Sequence, residues 1–277
     1  LSRRQRQMCI RDRYKRILNN LVMRLFLSWK HIISLCFVLL HLSLSIAHAT
    51  VVPKQHRLLI INSYNEGAPW SQTLITPIML QTSSIEDVSA DLVHINGTFI
   101  RNDSLYNQME EGIFQRYEKN KPDYLVLIGS IAFTLRDRIQ KEWGDIPMIL
   151  IANEDTYAPR EYYFTGRSIN MADNKVAPLN DIREQYNFTF IETPDMYKET
   201  IDMMIRMLPQ MKRIIFAADE LYQNQRLDRL IHSYIASEYP NIEYERLVGK
   251  EENSKQLQEY LLTDDPTTSI LFSTWFY

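Results

Sequence analysis

The residues of this chain with the types and spacing for chemistry stand directly after runs of apolar, β-branched sequence. Ser63, Tyr64, Glu66 and Trp70 follow His56-Arg-Leu-Leu-Ile-Ile. Gly129 and Ser130 follow Tyr124-Leu-Val-Leu-Ile, and Asn153, Glu154 and Asp155 follow Ile146-Pro-Met-Ile-Leu-Ile-Ala. Further on, Asp219 and Glu220 follow Arg213-Ile-Ile-Phe-Ala-Ala, and Ser273, Thr274 and Trp275 stand late in the apolar run that opens at Ser269. Hydroxyl and amide groups fix the orientation of a polar small molecule, and aromatic rings give it stacking area. The expected ligand-binding set is therefore Ser63, Tyr64, Trp70, Gly129, Ser130, Asn153, Glu154, Asp219, Thr274 and Trp275. No catalytic residue, metal or cofactor is assigned. Structural roles compete at several of these positions. Ser63, Ser130 and Asp219 suit helix caps, Gly129 suits a tight turn, and Trp70 opens an apolar face continued by Leu74. Glu66, Glu154, Asp155, Asp219 and Glu220 favour a neutral or amine-bearing compound over an anion.

The elements that would position these residues alternate. Strands are expected at 56–61, 87–95, 124–128 and 146–152, each a short apolar or alternating run. Helical spacing joins Trp70, Leu74 and Ile78, then Tyr106, Met109, Ile113 and Tyr117, then Leu135, Ile139 and Trp143. Residues 156–192 are less regular, with Tyr162-Tyr163-Phe164 as an edge strand and a polar crossover around 170–185. Thr193 reads as an N-cap with Pro194 at the first helical position of a helix ending at Pro209. Strands at 213–218, 242–248 and 269–276 then alternate with helices around 227–234 and 254–262. Strands alternating with helices predict parallel sheets covered on both faces. Two such blocks predict two Rossmann-like α/β lobes with a hinge, at 50–188 and 189–277, the second incomplete. In open parallel sheets ligands bind beyond the carboxyl ends of the strands, which is where the set above lies.

Several chemistries lack their motifs. The loop after the first strand, Asn62 to Trp70, has no G-x-G-x-x-G, and neither a phosphate-binding G-x-x-x-x-G-K-[ST] nor a G-x-S-x-G elbow occurs. Beyond residue 49 the histidines are His56, His94 and His232, with no H-E-x-x-H. Both cysteines, Cys9 and Cys36, precede residue 50, so the remainder has no disulfide and no thiol nucleophile.

Residues 23–49 read as a secretory leader. Arg24 and Lys30 give a basic start, Ile32 to Ala47 an apolar run, and Ala47-His48-Ala49 a small-x-small cleavage site. The run is shorter than the roughly 20 residues that span a bilayer; a retained anchor is the alternative. Export places the rest in the periplasm. Residues 1–22, which include Leu1-Ser-Arg-Arg-Gln-Arg-Gln-Met-Cys-Ile-Arg-Asp-Arg13, resemble translated adapter sequence and are set apart as non-native. The end at Tyr277, on an apolar run, is expected to be a truncation. Of the 31 basic and 34 acidic residues, nine and one lie in residues 1–49, which leaves 22 against 33 and a net charge of −11. Nucleic acid, which demands clustered cations, is a poor partner for such a surface.

Leu59-Ile-Ile-Asn-Ser-Tyr-Asn-Glu-Gly-Ala-Pro-Trp70 resembles the opening of type I periplasmic-binding-protein-like domains of the ABC-transporter substrate-binding kind. Pro122 to Ser130 and Ile146 to Asn153 resemble that family's third and fourth strands, and Thr193-Pro-Asp195 through Pro209 to Asp219 its passage into the second lobe. The family's usual Asp-x-x-Ala after strand three is Gly129-Ser-Ile-Ala132 here. The resemblance implies a periplasmic ligand-sensing domain of a membrane-anchored, homodimeric hybrid two-component sensor histidine kinase, with the kinase chemistry in residues absent from this chain. The alternative it implies is a free solute-binding protein serving an ABC permease. A third reading, a secreted α/β enzyme, would use Glu154 or Asp219 as a general base.

Overall fold

Between His56 and Asn62 the chain forms a strand, β1, whose alternation sends Leu59 and Ile61 to one face and Ile60 to the other. All three are buried, and each contributes roughly 1.5–3 kcal/mol by leaving water. A strand buried on both faces must lie inside a covered sheet. The computed structural model describes residues 56–164 and 175–275; the expected leader, the segment before it and both cysteines lie outside the described residues.

After β1 come α1 (Pro69–Ser83), β2 (Val88–His94), α2 (Asp103–Tyr117), β3 (Tyr124–Ile128), the short α3 (Ser130–Phe133), α4 (Arg136–Trp143) and β4 (Met148–Ala152). A two-residue antiparallel pair, β5 (Thr156–Tyr157) with β6 (Ala177–Pro178), precedes β7 (Phe188–Glu192). β7 pairs in parallel with β4 and completes a five-stranded sheet of order β2-β1-β3-β4-β7. One face packs Leu59, Leu125, Leu127 and Leu150 against α2 and α4 through Tyr106, Phe114, Ile139 and Trp143. The other face packs Ile60, Val126 and Ile128 against α1 through Ile75.

A second parallel sheet follows. α5 (Tyr197–Met207), β8 (Arg213–Ala218), α6 (Tyr222–Glu238), β9 (Glu243–Val248), α7 (Ser254–Leu262) and β10 (Thr268–Phe272) give the order β10-β8-β9. Ile214, Phe216 and Ala218 face α5 and α6, while Ile215 and Ala217 face Leu247 and Leu257. In both sheets the first strand lies between the second and the third. The strand order therefore reverses at the same point in each lobe, and that reversal opens a crevice at the carboxyl edge. The expected α/β class with two parallel-sheet lobes is the architecture found.

Local differences have physical causes. Tyr162-Tyr163-Phe164 is not an edge strand. Residues Arg160–Tyr163 form a 3-10 turn, which buries the rings of Tyr162 and Tyr163 beside Ala158 and Tyr222. β7 lies inside the stretch expected to be irregular, and it carries the first sheet past the expected boundary at 188/189. Its inward side chains are only Phe188 and Phe190, and Ile191 is exposed, so its pattern is that of a weak edge strand. Thr193 does not cap a helix. Its N–H bonds the Ala152 carbonyl at 2.9 Å and prolongs the β4–β7 ladder, and the helix begins at Tyr197.

Gly129 is where the sheet meets the site. Its φ is +83°, and a Cβ there would stand 2.8 Å from Ser63 Oγ and 2.9 Å from the Tyr64 ring. Gly67 has open space around it. Gly129→Ala is expected to lower stability in urea unfolding by roughly 1–3 kcal/mol, and Gly67→Ala to stay within about 0.5 kcal/mol of the parent. Equal effects at the two sites would contradict this account of the turn.

Candidate functional site

The turn after β1 is built by Asn62, whose buried Nδ2 donates to Ser71 Oγ (3.2 Å) and to the His94 ring nitrogen (2.9 Å). This fixes the exit of the strand. Ser63 Oγ accepts the Ala132 N–H at 2.9 Å and so anchors α3. Tyr64 then projects from the sheet edge, with Trp70 edge-on at 5.2 Å between ring centroids. Trp70 is 37% exposed and so is not a core residue.

Residues of both lobes wall one cavity of about 40 Å³. Ser63, Tyr64, Gly97, Thr98, Ile131 and Tyr163 come from the first lobe, and Leu221, Tyr222 and Gln223 from the start of α6. The space holds roughly three water-sized groups. Tyr163 and Tyr222 meet at 76° with centroids 5.2 Å apart, and the Tyr64 hydroxyl reaches Gln223 across the lobes. Tyr222 also lines a wider groove of about 420 Å³ with Arg226 and Arg229.

Behind Tyr163 lies a buried acid. Glu154 is only 2% exposed. Ser130 Oγ donates to its Oε1 at 2.5 Å. Its Oε2 has no hydrogen-bond partner and stands 3.8 Å from Arg226 Nε. Burial raises its carboxyl from the ordinary 4.5 to about 7, against the opposing pull of Ser130 and Arg226. Burial lifts the Tyr64 and Tyr222 hydroxyls to about 12 and Tyr163 well above its usual range, and the charge of Glu154 adds to all three.

A polar bridge crosses from lobe to lobe beside this acid. Asn153 Nδ2 donates to Asp195 Oδ1 at 2.8 Å, and Arg226 Nη1 donates to Asp195 Oδ2 at 2.7 Å. Asn153 ends β4, Asp195 lies in the crossover after β7, and Arg226 lies on α6.

Most of the expected residues converge here. Ser63 and Tyr64 line the cavity, Gly129 underlies them, Ser130 and Glu154 stand behind Tyr163, and Asn153 enters the bridge. Asp219 starts α6: its Oδ1 accepts from the Leu221 N–H (3.0 Å) and Asn224 Nδ2 (2.6 Å). Thr274 Oγ1 accepts from the same Asn224 amide at 2.8 Å. Trp275 packs over Gly249 and against Ile215, Ala217, Leu247 and Leu257. Thr274 and Trp275 are not among the residues lining the cavity. Tyr163, Tyr222, Gln223, Asp195 and Arg226 were not anticipated. Tyr222 and Gln223 lie only three and four residues past Asp219, so extending the strand-end rule into the first helical turn finds them.

Among the described residues no group of His, Cys, Asp or Glu is arranged for a metal ion, and no helix is long and apolar enough to cross a membrane. No protein-family model matches the chain, and no curated protein matches it. Solved structures with a similar course include a conserved domain protein from Vibrio cholerae (12% identity, 75% of this chain and 62% of that one, TM-score 0.48). An extracellular ligand-binding receptor from Verminephrobacter eiseniae is another (13% identity, 78% and 57%, TM-score 0.43). The S. aureus MnaA–UDP co-structure is a third (10% identity, 78% and 68%, TM-score 0.31). The chain thus spans 62% and 57% of the length of the first two. The architecture described here rests on this chain's own strand order and register.

A carboxyl whose pKa is higher folded than unfolded holds its proton longer in the folded state. Stability from Glu154 is then greatest below pH 4.5 and falls as pH rises toward 7. Glu154→Gln is expected to flatten the melting profile across this window and to raise stability at pH 8 by up to about 3 kcal/mol. A profile of unchanged slope would show that Glu154 titrates as an ordinary carboxylate.

Proposed function

We propose that this chain is the periplasmic small-ligand-sensing domain of a membrane-bound two-component sensor histidine kinase. The observation that carries the ligand-binding part is the cavity at the carboxyl edges of the sheets, walled by side chains of both lobes. A molecule held between Tyr64, Tyr163 and Tyr222 touches both lobes at once. It shifts a lobe-opening equilibrium only by its differential affinity for the closed form. The leader-like residues 23–49 and the resemblance at Leu59–Trp70 support the periplasmic sensor part. In this reading the phosphotransfer chemistry, the membrane anchor and dimerisation belong to other parts of the parent protein, and the role of these residues is binding.

Two measurements test this. The coding sequence beyond codon 277 is expected to contain a membrane span and then a phosphoacceptor-histidine domain; a stop codon soon after a completed second lobe would assign the same cleft to solute delivery to a permease. A thermal-shift screen of small polar metabolites is expected to give a compound that raises Tm by roughly 5–10 °C at about 100 times its Kd. That shift should vanish in Tyr64→Ala. A shift that survives this substitution would place the ligand elsewhere.

A further inference from the structure

We propose that the cleft recognises an organic cation, a small molecule whose ammonium head enters the cavity walled by Tyr64, Tyr163 and Tyr222. The inference deepens the ligand-binding reading above and rests on it.

Three features point to positive charge. The first is the wall itself. Cations are attracted to the faces of aromatic rings, and several rings around one small space form a cage suited to ammonium groups. Here three tyrosines line one cavity, two of them nearly perpendicular, with Trp70 against the third. The second is what lies behind the wall. Ser130 contacts the Tyr163 hydroxyl and donates at 2.5 Å to Glu154, so a carboxylate stands one hydroxyl away from the cage. Its Oε2, buried and without a hydrogen-bond partner, has unused accepting capacity. The third is the balance of charge. Arg226 is the cation facing Glu154, but its close partner is Asp195 at 2.7 Å, and it stands 3.8 Å from Glu154 Oε2. Asp155 and Asp195 add negative charge around Glu154. Arg226 balances one carboxylate of the group and Arg229 lies beside Tyr222, so the three carboxylates Glu154, Asp155 and Asp195, when ionised, outnumber these two cations.

The volume sets the size of the head. About 40 Å³ admits a compact group such as a methylated ammonium, and a larger body needs the lobes to part. A carboxylate or phosphate head would be repelled by the ionised Glu154 behind the wall.

Calorimetric titration of the full chain at pH 8, where Glu154 is ionised, with methylammonium, tetramethylammonium and choline tests the proposal. The comparison compounds are 3,3-dimethylbutan-1-ol, the neutral carbon isostere of choline, and 3,3-dimethylbutanoate, an anion of similar shape. At least one ammonium compound is expected to bind at least tenfold more tightly than both comparison compounds. Glu154→Gln should weaken that binding about tenfold and leave the alcohol unaffected. Tyr222→Phe should retain it, and Tyr222→Leu should lose it. Equal or tighter binding of the alcohol or the carboxylate overturns the cation proposal; if that binding is still lost in Tyr222→Leu, the ligand-binding cleft stands. Absence of binding by all three ammonium compounds at millimolar concentration also overturns it. Binding of every probe that is indifferent to Tyr222→Leu overturns both the cation proposal and the placement of the ligand in this cleft.

Discussion

A carboxylate withdrawn from water at the end of β4 governs the arrangement around the cleft. An isolated buried charge costs several kcal/mol, so it must find partners or take up a proton. Glu154 does some of each. It accepts the Ser130 hydroxyl, draws the Arg226 guanidinium to within 3.8 Å, and has its carboxyl raised to about 7. Protonation near neutrality caps the cost of burial, so the fold tolerates an acid with one oxygen unpartnered. The partners that Glu154 recruits come from different parts of the chain. Ser130 starts α3 beside β3, and Arg226 comes from α6 of the other lobe. One desolvated group thus ties two sheets to a common crevice.

The parallel sheets make that convergence possible. Every carboxyl end in a parallel sheet points the same way, so the loops after β1, β3 and β4 gather on one edge. The order reversal beside β1 and β8 leaves room there for side chains instead of a crossover. Gly129 permits the closest approach, since any Cβ would strike Ser63 and Tyr64. On the second lobe, Asp219 and Asn224 fix the start of α6 by accepting and donating hydrogen bonds, which aims Tyr222, Gln223 and Arg226 back at the first lobe. Asn153, Asp195 and Arg226 then connect β4, the crossover and α6 through two bonds of 2.8 and 2.7 Å.

The strongest sequence signals were the β1, β3, β4 and β8 runs, because strands buried on both faces are continuously apolar. Their order alone places Ser63, Tyr64, Ser130, Asn153 and Glu154 at the carboxyl edge of the first sheet and Asp219 at that of the second. β7 was illegible for the opposite reason: an edge strand with Ile191 exposed has no continuous run to see. Tyr163 misled because tyrosine pairs are frequent in strands, whereas here its ring packs edge-on against Tyr222, far along the chain. Asp195 and Arg226 look like ordinary surface charges in sequence. Only the crossover that carries the chain from β7 to α5 sets them against each other and against Glu154. Thr274 and Trp275 obey the strand-end rule for β10, yet Asn224 and the Leu247 side of the sheet claim them instead.

The polar bridge through Asp195 holds the two lobes around a shared crevice. Spin labels on cysteines at the exposed positions Lys119 and Lys255, with Cys9 and Cys36 replaced by serine, report the separation of the lobes by double electron–electron resonance. One narrow distance distribution is expected for the parent and a broader, longer one for Asp195→Asn. Identical distributions in the two proteins would contradict it.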